Sequence, residues 1–291
     1  MNSSENHING ASLNTDPLNI LVFGAHPDDP DISAGGVTAL YVAGGHRVKF
    51  VSLTNGDAGH HEIGGVELAR RRHGETQAVA SLQGLVDYQV LDNHDGELEP
   101  TLANRRSVIR IIREFQPDLI LGPRPNDYHP DHRYTAQLIQ DAAYMVTVPN
   151  VTALTDHLVT NPVIAYVADR FKRPYPFTPD VAVRIDGVIE RKLDALHCHT
   201  SQVYEWLPYN AGHLEEVPST ETARRHWLTE KYLPRFAAIA ERHREVLARW
   251  YGTAEANHVR YAEAFEISEY GTQPNEAELR RLFPFLPAAR R

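Results

Sequence analysis

The sequence predicts an α/β fold in which a doubly wound, mostly parallel sheet has helices on both faces and is followed by a C-terminal helical extension. Short runs rich in β-forming residues alternate with longer helical segments between residues 19 and 146. Parallel strands joined by crossover helices require this order. The composition agrees, because 291 residues with 42% hydrophobic content are enough to bury a full core.

Four strand and helix pairs make up the predicted doubly wound sheet. Each strand is a short apolar run, and each helix is the longer segment that returns the chain to start the next parallel strand. The predicted pairs are 20–23 with 33–43, 48–53 with 66–83, 87–91 with 105–115, and 118–121 with 131–146. After residue 149 the alternation loosens, and the predicted elements are a strand at 181–185, a helix at 187–199 and a long helical region at 221–251.

We expect three segments along the chain. Residues 1–17 are polar and rich in Asn and Ser, which predicts a disordered tail without the basic and apolar regions of a signal peptide. Residues 18–202 form the main domain, and residues 203–291 form a helical extension packed on it. No apolar stretch approaches the roughly 18 residues of a membrane span. Because Cys198 is the only cysteine, no intrachain disulfide forms, and we expect a cytoplasmic protein.

The charge balance restricts the class of partner. The chain has 38 acidic and 29 basic residues and a formal net charge of -9, which argues against a nucleic acid because binding its phosphates needs a basic surface. A small-molecule substrate fits better, and a homo-oligomer stays open. No Gly-x-Gly-x-x-Gly follows the first strand, which argues against a nicotinamide cofactor.

Two similar His-Pro-Asp clusters follow the first and the fourth predicted strands. The first contains His26, Asp28 and Asp29, and the second contains His129 and His132 on either side of a Pro-Asp pair. In a doubly wound sheet these two strands lie side by side where the strand order reverses, and ligands bind at their carboxyl ends. The fold therefore predicts that the two clusters meet in one site, although a single cluster of this kind is equally typical of a helix N-cap.

Two imidazoles and a carboxylate with one open position are what a catalytic zinc ion requires. His26 and Asp29 are candidate ligands from the first cluster, and His132, which opens the following helix, is the better candidate from the second. The same donors suit Fe²⁺, Co²⁺ or Mn²⁺. Zinc lowers the pKa of its water to near 7, so Asp28 can take the proton of an attacking water while a protonated His129 stabilises the oxyanion or protonates the leaving amine. This scheme describes amide hydrolysis.

The residues from Ala25 to Asp29, together with the second cluster, resemble the PIG-L, or LmbE-like, family of zinc-dependent N-deacetylases. The likeness continues through an Arg-x-x-Glu match at Arg72 and through residues 192–202, so it covers roughly residues 19–202. The sequence departs from many relatives in having Pro30 where they have glutamate, and Asp31 follows as a substitute.

The resemblance implies a Rossmann-like fold, which makes residues 18–202 the catalytic domain, and hydrolysis of the acetamide of an N-acetylglucosamine unit or a related amide. By motif position it implies one metal site with a set of surrounding residues. The metal ligands are His26, Asp29 and His132, the general base is Asp28, the oxyanion stabiliser or acid is His129, the residue that orients His129 is Asp131, and a substrate-binding residue is Arg72. Apart from the resemblance, the polar stretch at residues 92–95 leads us to expect Asp95 beside Arg72 in the lining of a sugar pocket.

Two alternatives remain open at this point. The first is an amidase that cleaves a sugar-linked or peptide-like amide other than an acetamide, which would release a larger acid than acetate. The second is a non-catalytic relative that binds a sugar or a metal without turnover. Every residue type that catalysis needs is present in the clusters, which favours an enzyme.

Overall fold

The computed structural model describes residues 16–288, so nearly all of the predicted tail at 1–17 and the last three residues of the predicted extension lie outside the described residues. The predicted α/β class is confirmed by a seven-stranded sheet of order β3-β2-β1-β4-β5-β7-β6. The strands are β1 (Asn19–Gly24), β2 (Arg47–Ser52), β3 (Asp87–Val90), β4 (Leu119–Gly122), β5 (Val163–Val167), β6 (Val181–Arg184) and β7 (Ala262–Gly271).

Ten α-helices accompany the sheet within residues 16–288. They are α1 (Asp29–Ala43), α2 (Gly65–Gln83), α3 (Leu102–Phe115), α4 (Pro130–Met145), α5 (Ile189–Cys198), α6 (Leu207–Asn210), α7 (Glu221–Arg242), α8 (Arg244–Tyr251), α9 (Thr253–His258) and α10 (Glu276–Leu282). A π-helical turn, Gln202–Trp206, precedes α6. None of the helices in this range is long and apolar enough to cross a membrane.

The first five strands are parallel, and β1 lies between β2 and β4 as the sequence predicts. The strand β7 runs antiparallel to both of its neighbours, β5 and β6. Neither β5 nor β7 was predicted from the sequence. In β7 the period of two is obscured because Glu263 is buried among apolar residues. The strand β7 lies in the segment predicted as a C-terminal helical extension, so this segment contributes a strand to the sheet as well as helices.

Two apolar layers cover the faces of the sheet. On one face α1, α5, α7 and α8 contribute buried side chains such as Val37, Leu193, Phe236 and Leu247. On the other face α3 and α4 contribute side chains such as Ile112 and Leu138. Because apolar burial supplies most of the favourable free energy of folding, these layers hold β1 and β4 in the positions that bring the two clusters together.

Candidate metal and catalytic site

The loops after β1 and β4 place both His-Pro-Asp clusters at the same edge of the sheet. Val22 in β1 pairs with Leu121 in β4, and each chain turns within a few residues into a helix. Proline occupies the first turn of α1 and of α4, where its missing N–H has no intrahelical partner to lose. Two helix N-termini therefore point toward one site.

Three predicted metal ligands converge with near-equal spacing. His132 Nε2 lies 3.2 Å from His26 Nδ1 and 3.3 Å from Asp29 Oδ2, and His26 Nδ1 lies 3.4 Å from the same oxygen. Tetrahedral zinc with bonds of about 2.0–2.1 Å holds neighbouring ligand atoms about 3.3 Å apart. The three atoms therefore already have the spacing of one face of a tetrahedron.

Each imidazole of this triad has a carboxylate on its other nitrogen. His132 Nδ1 lies 3.0 Å from Asp127 Oδ1. His26 Nε2 lies 3.2 Å from Asp131 Oδ2 and 3.1 Å from Asp95 Oδ1. Such contacts fix the proton on the outer nitrogen and leave the inner lone pair for a metal. Asp127 was not among the predicted site residues, and its sequence signal was its position two residues before the His-Pro pair.

The triad lies in a strongly negative environment. Burial opposes protonation of His26, but the carboxylates of Asp131, Asp29 and Asp95 outweigh it and raise its pKa well above the usual range. Burial likewise opposes protonation of His132, and Asp29 and Asp127 nevertheless raise its pKa to about 10. A site that binds protons this tightly also favours a metal cation in place of those protons. The residues therefore fit a divalent metal.

A second group of possible ligands shares His26 with the triad. Ligand atoms of His26, Asp95, His129 and Asp131 lie within 4.8 Å of one another. The Asp131 carboxylate is already occupied, since Oδ2 accepts the Gly96 N–H at 2.7 Å and Oδ1 accepts the Leu98 N–H at 3.2 Å. In the triad, Asp29 Oδ2 likewise accepts the Ala25 and His26 N–H groups at 2.9 Å each. The triad is the better metal site because its ligand atoms are 3.2–3.4 Å apart, whereas His129 Nδ1 lies 3.9 Å from Asp131 Oδ2.

Asp28 is almost fully enclosed beside Arg72, with only 6% and 2% of the two residues exposed. The Arg72 Nη2 donates to Asp28 Oδ1 at 2.9 Å, and Nη1 donates to the Gly56 carbonyl at 3.1 Å. Burial raises the pKa of Asp28 although Arg72 opposes the shift. Gly56 has φ +70, and a Cβ there would lie 2.4 Å from the guanidinium, so this approach requires glycine.

His129 caps α4 and keeps its ring in a defined tautomer. Its Nδ1 accepts the Asp131 N–H at 3.2 Å, so Nε2 carries the proton of the neutral ring. Burial, together with His26 and His132, lowers the pKa of His129. The Asp131 carboxylate lies 3.9 Å from the His129 Nδ1 and 3.2 Å from the His26 Nε2. The Asp131 carboxylate is therefore within hydrogen-bonding distance of His26 and not of His129. The family resemblance, in contrast, implied that Asp131 orients His129.

Both residues expected to bind substrate line the site cavity but also contact other site residues. Arg72 is engaged with Asp28, and its Nη1 lies 3.7 Å from Asp95 Oδ2. Asp95 thereby bridges Arg72 and the His26 ring. Burial opposes ionisation of Asp95, but its contact with His26 lowers the pKa all the same, so this carboxylate stays charged between its two partners.

The remaining sequence motifs form the wall behind the site. Glu75 accepts hydrogen bonds from the Ser201 N–H and hydroxyl at 2.8 and 2.7 Å. Asp31 is fully buried, 2.9 Å from the His199 Nε2, and accepts a hydrogen bond from the Tyr88 hydroxyl. These contacts anchor α1 and α2 against the segment that follows α5.

A cavity of about 520 Å³ opens over the triad. Its walls include four residues that belong to none of the sequence motifs, namely Trp206, Leu207, Asn210 and Arg235. An aromatic side chain beside polar groups in a cavity of this size is typical of a small-molecule site. The predicted extension therefore takes part in enclosing the site.

Comparisons with known proteins show which family the chain belongs to. The family model described as PIG-L, GlcNAc-PI de-N-acetylase, matches residues 21–143. The diacetylchitobiose deacetylase of Thermococcus kodakarensis is 31% identical over 210 residues, which cover 67% of this chain and 75% of that protein. A probable N-acetyl-alpha-D-glucosaminyl L-malate deacetylase 2 of Bacillus cereus is 29% identical, with 72% and 93% covered.

A solved structure extends the likeness to the whole fold. The N,N'-diacetylchitobiose deacetylase of Pyrococcus horikoshii, in complex with an inhibitor, superposes with a TM-score of 0.66 at 27% identity. The match covers 87% of this chain and 84% of that one. From these matches and from its His/Asp cluster, the chain belongs to the PIG-L family of metal-dependent N-deacetylases.

Proposed function

We propose that this protein is a zinc-dependent deacetylase that removes the acetyl group from an N-acetylglucosamine-type sugar or its conjugate. The observation that carries the proposal is the triad of His26, Asp29 and His132, whose ligand atoms are 3.2–3.4 Å apart at the base of a large cavity. The relatives that act on N-acetylated glucosamine units support the substrate class.

The ligand set supports zinc as the metal. Two imidazole nitrogens and one carboxylate oxygen are the donors of many catalytic zinc sites, which keep one position open. The chemistry that such an ion supplies when bound is Lewis acidity toward a carbonyl oxygen and toward water. Asp127, Asp131 and Asp95 orient the two ligand rings from outside.

Asp28 is proposed as the general base. Its burial raises the pKa of the carboxyl group, which increases its affinity for the proton of the attacking water. Arg72 keeps the carboxylate oriented through Oδ1. As the water oxygen bonds to the acetyl carbon and the C–N bond breaks, Asp28 passes the proton to the departing nitrogen, so the products are the free amine and acetic acid, which ionises to acetate by releasing its proton to solvent.

His129 is proposed to stabilise the oxyanion. Because its Nδ1 accepts a backbone N–H, a neutral ring presents an Nε2–H donor without first taking up a proton. The lowered pKa of His129 favours this neutral donor over the protonated form. Fixed donors directed at developing negative charge are among the largest contributions to catalysis, about 10²–10³-fold for one donor.

The experiment is an amine-release assay with N-acetylglucosamine and its conjugates, run with and without chelator and with zinc added back. Chelator should abolish release and zinc should restore it. Asp28→Asn should lose turnover while still binding one zinc ion per chain, whereas His132→Ala should lose both. Acetate must appear in equal amount to the amine, because a larger acid would indicate the alternative amidase.

Two surface variants serve as matched controls. Asp156→Asn and His258→Ala alter exposed residues outside the site and should keep both turnover and zinc. Zinc binding with saturable sugar affinity but no amine release from any substrate would contradict the proposed activity and favour a binding protein.

A further inference from the structure

A second cavity adjoins the one that contains the triad. Its volume is about 460 Å³, which is within the range of small-molecule sites. Ile32, Tyr128 and Arg235 line both cavities, so the two spaces meet at these side chains. A substrate whose acetamide reaches the triad has room to extend past Tyr128 into the second space.

The second cavity carries three exposed arginines, and we call it the arginine basin. These are Arg170 after β5, and Arg235 and Arg242 on α7. Among residues 16–288 none of the three has a carboxylate within ion-pair distance. Two of them make weaker contacts, since Arg242 Nη1 donates to the Asp169 carbonyl at 3.3 Å and Arg235 lies over the Tyr232 ring.

The two carboxylates of the basin are already engaged by other side chains. Asp169 accepts two hydrogen bonds of 2.6 Å from the buried Arg124 guanidinium. Asp127 lies against the His132 ring at 3.0 Å. The basin is therefore locally positive on a protein whose net charge is -9. Its three exposed guanidinium groups keep most of their hydrogen-bonding capacity for a molecule that enters the basin.

We propose that the arginine basin binds a carboxylate or phosphate group that the substrate carries beyond its N-acetylated sugar. This subsite rests on the proposed deacetylase function and narrows its substrate class to anionic conjugates. Planar guanidinium groups match carboxylate and phosphate oxygens in paired hydrogen bonds. Phe171, Phe236 and Ile239 line the same space and supply apolar contact for the atoms that join the sugar to the anion.

The test compares two synthetic substrates that differ only in charge. One is the para-carboxyphenyl glycoside of N-acetylglucosamine, and the other is its para-carbamoylphenyl analogue, which has the same shape and no charge. We expect kcat/KM to be at least about tenfold higher for the carboxylate, mainly through a lower KM, and the advantage to shrink as salt is raised. N-acetylglucosamine phosphate, compared with the methyl glycoside, tests phosphate as the preferred anion.

The variants separate the basin from general surface charge. Arg235→Gln alone, and Arg170→Gln with Arg242→Gln, should bring the carboxylate-to-carboxamide ratio of kcat/KM close to one, and Arg235→Lys should retain part of the preference. Arg106→Gln removes an exposed arginine of α3, far from the basin in sequence, and should leave the ratio as in the unmodified protein.

The outcomes are distinguishable from a failure of the proposed function. If neither glycoside is deacetylated, the proposed function is wrong. If both are deacetylated with equal kcat/KM, or if the arginine variants keep the full preference, only the anionic subsite is wrong. A preference for one anion that the variants abolish supports the basin and identifies whether it takes carboxylate or phosphate.

Discussion

Asp28 and Arg72 form an ion pair that is almost completely excluded from solvent, with 2.9 Å between Asp28 Oδ1 and Arg72 Nη2. The first residue adjoins a predicted metal ligand, and the second comes from α2. A buried carboxylate is costly to keep charged unless it is paired. The pair therefore offsets part of the cost of burying the charged form of the proposed base, and it fixes the direction in which its free oxygen points.

Arg72→Met should reduce kcat by on the order of 10²-fold, because small displacements of a reacting group have effects of this size. Zinc content should not change, since the Arg72 guanidinium donates to Asp28 and Gly56 and not to a predicted ligand. Steady-state kinetics and metal analysis of the same preparation provide the check. Arg70→Met alters an exposed neighbour on α2 and should behave as the unmodified protein. Loss of zinc from Arg72→Met would contradict this role.

Asp127→Asn should weaken zinc binding by about 10–100-fold, which is the usual effect of removing an outer carboxylate from a ligand histidine. The asparagine can still accept from the His132 Nδ1 but no longer raises the electron density of that ring. Competition with a chromogenic chelator measures the affinity, and Asp156→Asn is the surface control. Unchanged affinity in Asp127→Asn would mean that His132 does not bind the metal through Nε2.

The position of the site was predictable because β1 and β4 each coincide with a short, apolar run of β-forming residues in the sequence. Once they were assigned, the rule for strand order in doubly wound sheets placed His26 near His132 from the sequence alone. The outer contacts were not predictable, because Asp95 and Asp127 lie in loops whose course depends on tertiary hydrogen bonds. Asp95, for example, is held by the Asp57 carboxylate through its backbone N–H at 3.0 Å.

The last third of the chain was harder to predict for a different reason. Glu263 is buried near the start of β7, where a strand pattern would require an apolar residue. Its charge is satisfied by Lys192 of α5 and by the Gly36 and Val37 N–H groups of α1. Even the nearest of these partners lies 71 residues away in sequence, so the local periodicity of the sequence cannot predict the pairing.

Lys192→Met should destabilise the fold by about 3–5 kcal/mol, because it leaves the Glu263 carboxylate buried without a cation. The same residue lies over the Phe236 ring and donates to the Ile32 carbonyl at 2.8 Å, so α1, α5 and α7 all loosen together. Urea unfolding at neutral pH measures the change in free energy. Lys231→Met breaks an exposed pair with Glu216 and should cost less than about 1 kcal/mol. Similar losses for both lysines would show that burial of the Glu263 pair does not matter for stability.

His243 should make the fold sensitive to mild acid. Burial, assisted by Arg242, lowers the pKa of His243 to about 4, below its ordinary value of about 6.5. As pH falls from about 6.5 toward 4, the unfolded chain takes up a proton at this ring and the folded chain does not, so the free energy of unfolding decreases. The ring packs against Phe177, and its Nε2 has no hydrogen-bond partner among the described residues.

The measurement is the free energy of unfolding at several pH values between about 7 and 4 for the unmodified protein and for His243→Leu. Other histidines and carboxylates titrate in the same window, but they are common to both proteins and cancel in the difference. The stability of His243→Leu relative to the unmodified protein should therefore rise as pH falls. His258→Leu, at an exposed position of α9, is the surface control. Its stability relative to the unmodified protein should change with pH much less. Parallel curves for the unmodified protein and His243→Leu would show that the folded state admits the proton at His243 as readily as the unfolded chain does.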